Sequence, residues 1–102
     1  MIIQEVWESH NCTVYLHGVL NEQTSAELEE YLLHTDLFRF SGNWILECSN
    51  LEKMTASALR VLLIAYRRVM AAKGNGHMRG CNASVSSFLH SAGFDAILPL
   101  ES

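Results

Sequence analysis

The chain has one proline, three cysteines, and seven lysines and arginines against eleven aspartates and glutamates. Each scarcity removes a class of protein. A lone proline, Pro99, makes no polyproline segment, and no low-complexity run or linker accompanies it. A formal net charge of −4 lacks the basic face that broad nucleic-acid binding needs, so no nucleic-acid partner is expected. No apolar run approaches the roughly 20 residues of a membrane helix, so direct membrane insertion is not expected. The start, MIIQEVWESH, has no basic stretch ahead of a long apolar block and does not read as a signal peptide. Cys12, Cys48 and Cys81 are odd in number and far apart in sequence, a poor disulfide framework. They read as small buried hydrophobes in a reducing cytosol.

The chemistry-bearing residues are equally sparse in pattern. His10, His17, His34, His77 and His90 are scattered, with no H-x-x-x-H or C-x-x-C spacing, so no metal and no cofactor is expected. Cys48 has no evident base beside it, and Gly74-Asn75-Gly76 lacks the Lys-Ser/Thr of a phosphate loop. The expectation is a protein that is not an enzyme.

What is present is a globular composition, 49% hydrophobic and 18% charged over 102 residues, read as one domain spanning 1–102. Ile2 to Trp7 reads as an edge strand, and Ser9-His10-Asn11 as a turn. Cys12 to Leu20 follows as a second strand, with Val14 and Leu16 alternating against Thr13, Tyr15 and His17. Asn21-Glu22-Gln23-Thr24-Ser25 opens a helix that His34-Thr35-Asp36 closes. Its inner face is read as Ala26, Leu28, Tyr31, Leu32 and Leu33. Leu37 to Phe40 is read as a half-turn that packs two aromatics on the core or as an exposed apolar patch for a partner.

The chain is organised around 43–73. Trp44 to Cys48 reads as a buried strand that Ser49-Asn50 ends in a loop. A long helix begins near Ala56. Leu59, Leu62, Leu63, Tyr66, Val69 and Met70 form its apolar face, and Gly74 is its expected C-cap. Arg60, Arg67, Arg68 and Lys73 make a basic stripe, a solvated face or a contact for an acidic partner. His77 to Cys81 is a further strand, and Asn82 caps a last helix ended by Gly93. Phe94, Ile97 and Leu98 return to the core. The order β-β-α-β-α-β-α predicts an α/β fold with a mixed four- to five-stranded sheet and helices packed against it.

Three segments carry a resemblance. His17-Gly18-Val19-Leu20-Asn21 is like a Gly-x-Leu-Asp turn. Glu47 through Leu62 is like an "Asp-Leu-Ser … Asp-Ser-Ser-Gly-Leu-x-x-Leu" run. Gly80 through Phe94 is like a last strand, helix and closing glycine turn. In this order and at this length the chain resembles the STAS domain of bacterial anti-sigma factor antagonists. The resemblance implies a cytoplasmic docking module that binds an anti-sigma factor or switch kinase, as a monomer or weak homodimer. The implied partner surface comprises Asn21, Glu22, Thr55, Ala56, Ser57, Ala58 and Arg60. The family's phosphorylated serine falls on Ala56, which has no hydroxyl; Ser57 or Thr55 is the remaining candidate phosphoacceptor. The alternative is a STAS-like structural subunit of a lipid-transport ABC complex, or the cytosolic regulatory part of an anion transporter.

Overall fold

Alternation along the second strand sets up the layers. Cys12, Val14, Leu16 and Leu20 are fully buried, while Thr13, Tyr15 and His17 on the other face are half-exposed. The computed structural model describes residues 1–35 and 42–101. Its elements are β1 (Ile2–Glu8), β2 (Asn11–Leu20), α1 (Glu22–His34), β3 (Asn43–Met54), α2 (Ala56–Ala71), β4 (Asn75–Arg79), α3 (Ala83–Ser91) and β5 (Leu100–Glu101). A turn of 3-10 helix, Phe94–Ala96, joins α3 to β5. Both readings of Leu37 to Phe40 fall outside the described residues.

The sheet has the order β1-β2-β3-β4-β5. A two-residue turn makes β1 and β2 an antiparallel hairpin, with Glu8 opposite Asn11. The β2–β3, β3–β4 and β4–β5 pairs are parallel. The predicted mixed α/β sheet is therefore present. Right-handed crossovers that always step the same way along a sheet lay their helices on one face. Hence α1, α2 and α3 share a face and all begin at the rim where β2, β3 and β4 end. The opposite face carries Tyr15, His17, Glu47, His77 and Arg79.

Three local readings are corrected. Ser49 and Asn50 do not end β3, which continues to Met54 by pairing His17 with Asn50 and Leu20 with Met54 across two register shifts. An exposed strand end tolerates loop-like polar residues as long as its backbone stays paired. In α2 the deepest residues are Ala58, Val61, Leu62, Ala65 and Val69. Leu59, Leu63 and Tyr66 only flank the core, and Met70 is 45% exposed. Two alanines at the centre let the helix approach the sheet closely, which turns the larger side chains outward. In α1, Ser25 is buried with Leu28 and Leu32, whereas Ala26 is exposed and Leu33 is 59% exposed.

Two helix ends also differ or agree for clear reasons. Lys73, with φ 63, takes the left-handed turn after α2 that was expected of Gly74. Gly74 serves another need: a Cβ there would lie 2.8 Å from the Gly42 carbonyl oxygen. Gly93 does end α3 in the left-handed region, with φ 71. Phe94 and Leu98 then return to the core, while Ile97 stays 45% exposed.

Candidate functional site

The rim where β2 and β3 end joins two chain turns. Asn21 caps α1 through a reciprocal box: its Oδ1 accepts from the Thr24 amide at 3.0 Å, and its own amide donates to Thr24 Oγ1 at 2.8 Å. Thr24 Oγ1 also donates to the Val19 carbonyl at 2.5 Å. The Asn21 side chain is thus engaged in holding its turn, as an N-cap asparagine does. Glu22, the next residue, is exposed in the first turn, where a negative charge suits the helix dipole.

Thr55 holds the second turn in a different way. It sits at the N-cap of α2 but makes no side-chain cap hydrogen bond. Its amide donates to the Leu20 carbonyl at 2.8 Å, and its hydroxyl donates to the same oxygen at 3.3 Å. From there a chain of hydroxyls runs inward. Thr55 Oγ1 lies 3.1 Å from Ser57 Oγ, which lies 3.4 Å from the buried Ser25 Oγ.

The predicted contact residues therefore divide. Asn21, Glu22, Ala56 and Arg60 are exposed; Thr55 and Ser57 are half-buried. Ala58 is completely buried in the core and offers a partner no surface. Arg60 reaches across to α1, with both terminal nitrogens 3.2 Å from the Glu29 carboxylate. Below the rim, Glu22, Ser25, Glu29, Ser57, Arg60 and Val61 line a cleft of about 340 Å³ between α1 and α2. A second hollow of about 130 Å³ continues it, walled by Leu32, Leu33, Ile64 and Arg68. Ser25, Glu29 and Val61 were not singled out from sequence. The stripe Ser25-Glu29-Leu32 on α1 was the available signal, since these residues share one helix face.

Glu47 lies elsewhere. It sits mid-strand on the open sheet face. Its Oε1 accepts from Arg79 Nε at 2.7 Å and its Oε2 from Ser49 Oγ at 2.5 Å. Burial alone would raise its pKa; the hydrogen bonds from Ser49 and Arg79 outweigh that and hold the carboxyl below its usual value. Nothing in this grouping resembles a nucleophile with its base. Among the described residues, no three His, Cys, Asp or Glu side chains are grouped to hold a metal.

A family model described as "Mlab, STAS domain" matches residues 3–99. The chain belongs to the STAS family. Solved structures agree in fold at low identity. A protein of Thermotoga maritima, proposed as an anti-sigma factor antagonist, is 14% identical with a TM-score of 0.88. The likeness covers 98% of this chain and 86% of that one. The anti-sigma factor antagonist SpoIIAA of Bacillus, in its unphosphorylated form, is 15% identical at a TM-score of 0.79, over 99% and 89% of the two chains. A sulfate transporter family protein of Wolinella succinogenes is 13% identical at 0.78, over 94% and 80%. No curated protein matches the sequence. No described helix is long and apolar enough to cross a membrane.

Proposed function

We propose that residues 1–102 work as one non-enzymatic docking domain in the bacterial cytoplasm. It binds an anti-sigma factor or switch kinase in a partner-switching pathway that regulates transcription. One observation carries this reading. Thr55 locks the Asn21 turn to the start of α2 through the Leu20 carbonyl, so Asn21, Glu22, Ala56 and Arg60 form one exposed surface beside the α1–α2 cleft. The likeness to SpoIIAA, solved in phosphorylated and unphosphorylated forms, supports it.

Ala56 stands where the family phosphoacceptor would be. Thr55 and Ser57, the remaining candidate phosphoacceptors, are half-buried with their hydroxyls 3.1 Å apart. Unless either takes a phosphate, the domain is permanently in the state that binds its partner, as a monomer or weak homodimer. A STAS subunit of a lipid-transport complex, or a regulatory part of an anion transporter, is the second reading. The fold likeness to the sulfate transporter family protein favours its transporter form.

Capture on the tagged domain from native lysate, followed by mass spectrometry, separates the two. An anti-sigma factor or kinase is the expected catch. Recovery of an ATPase with a permease instead overturns the first reading.

A further inference from the structure

We propose that Cys48 and Cys81 form a redox-active thiol pair, which a peroxide-class oxidant converts to an internal disulfide. The strand arrangement brings them together. Glu47 on β3 is paired with Arg79 on β4, so Cys48 is one residue beyond one member of that pair and Cys81 two beyond the other. Gly80 intervenes in a left-handed turn, φ 75, that ends β4 and redirects the chain. Cys81 thereby packs against the same core that encloses Cys48, and the two thiols sit close enough to shift each other's ionisation. Continuing the register sets Cys48 opposite Gly80, one residue short of Cys81, and neighbouring strands lie about 4.8 Å apart.

The pair is chemically unequal. Cys48 is fully buried, with its Sγ 3.6 Å from the Leu46 carbonyl oxygen that accepts its hydrogen. Cys81 is partly exposed and reachable by a small oxidant. The neighbouring Cys48 thiol lowers the Cys81 pKa, against the opposing effects of burial and the Glu47 charge. The same contact, with burial, pushes Cys48 far up and keeps it protonated. Cys81 is therefore the attacking sulfur and Cys48 the resolving one.

The reaction balances without further reagents. The Cys81 thiolate attacks one oxygen of hydrogen peroxide, the O–O bond breaks, and hydroxide leaves and is protonated to water. Cys81 is now a sulfenic acid. The Cys48 sulfur attacks the Cys81 sulfur; the S–O bond breaks, and the departing hydroxyl takes the Cys48 proton to leave as a second water. Two thiols lose two electrons and the peroxide gains them. Cys12 is a built-in control. It is fully buried, and burial with the nearby Glu5 charge pushes its thiol up to about 12. It lies on β2 opposite Trp44, four residues or about 13 Å of strand from Cys48.

The test is hydrogen peroxide treatment of the whole chain, followed by trypsin without reductant. The peptide 40–53, which holds Cys48, should be joined to 80–102, which holds Cys81. The peptide 1–39, with Cys12, should remain a free thiol. Cys81→Ser should abolish the crosslink. Cys48→Ala should leave a Cys81 sulfenic acid that dimedone captures. The oxidised chain should also melt at a higher temperature than the reduced one, because the bond closes a loop containing all of α2. If Cys48→Ala does not fold, the wild-type map and Cys81→Ser decide alone. A crosslink through Cys12, a Cys81–Cys81 bond between two chains, or oxidation of Cys81 without joining to Cys48 would overturn the proposal.

Discussion

Thr55 gives the Leu20 carbonyl oxygen two hydrogen bonds, one from its amide at 2.8 Å and one from its hydroxyl at 3.3 Å. Thirty-five residues of sequence separate the partners, and this contact holds the two turns of the rim in one surface. Removing the hydroxyl while keeping the shape, Thr55→Val, should lower stability by about 0.5–1.5 kcal/mol. It should also remove a hydrogen-bond partner from Ser57. Urea denaturation of both proteins checks the figure, and a loss above about 3 kcal/mol would mean that Thr55 supports more than this junction.

A second expectation concerns Ala56, the first residue of α2. Aspartate suits the positive end of a helix, so Ala56→Asp should leave stability unchanged or raised by about 0.3–1 kcal/mol. Enclosed by a partner, the same carboxylate loses its water without gaining a counter-ion, at several kcal/mol. Affinity for the captured partner should therefore drop by roughly a hundredfold or more. Isothermal titration measures it. Undiminished affinity would place the interface away from this rim.

Packing in α2 gives a contrast between residues. Leu62 is fully buried, so Leu62→Ala should destabilise by about 2–5 kcal/mol. Leu63 only flanks the core and Met70 is 45% exposed. Met70→Ala and Arg67→Ala should each change stability by less than about 1 kcal/mol. Parallel denaturation curves decide whether the inner face is the one centred on Leu62.

The Glu47–Arg79 pair predicts a pH dependence with a definite sign. The folded carboxyl titrates below its usual value because hydrogen bonds from Ser49 and Arg79 overcome the effect of burial. Its stabilisation is present above the unfolded carboxylate pKa and is lost as pH falls through the lower folded value. Glu47→Gln should cost about 1–3 kcal/mol at neutral pH, and the gap to wild type should close in acid. A gap that stays constant from neutral pH to about pH 3 would show that the charge is not responsible.

The same pair explains a glycine. Gly80 has φ 75, and a Cβ there would meet Glu47 Oε2 and Ser49 Oγ, each at 2.4 Å. Gly80→Ala should therefore destabilise by more than about 1 kcal/mol. Reduced and oxidised samples should be compared by thermal melting, since the turn also sets the approach of Cys81 to Cys48.

The sheet was legible from sequence because alternation in β2 is nearly complete, and α1 and α3 announced themselves through Asn21 and Asn82. The depth of α2 was not. Hydrophobicity points to Leu59, Leu63 and Tyr66, whereas the fully buried positions include Ala58 and Ala65, which matter for being small. Ser49 and Asn50 look like loop residues, yet pairing with β2 carries the strand through them. Glu47 could not be assigned because its partner Arg79 is 32 residues away. The rim was visible as two separate turns, Asn21 and Thr55. Their union through the Leu20 carbonyl, and the burial of Ala58, required the fold.

Three helices that start at one rim give the domain an electrical polarity that its net charge does not reveal. Each N-terminus carries roughly half a positive elementary charge and each C-terminus the opposite. Arg68 sits in the last turn of α2, where a cation suits that negative end. A chain of net charge −4 therefore still has a distinct front and back. The aligned dipoles exert a torque that turns anionic patches of an approaching surface toward the rim of Asn21, Thr55 and Asn82, opposed there by the exposed Glu22 carboxylate. At physiological salt that torque acts only within about 8 Å. Ionic strength should thus change how often encounters are correctly oriented well before it changes how firmly the final contact holds.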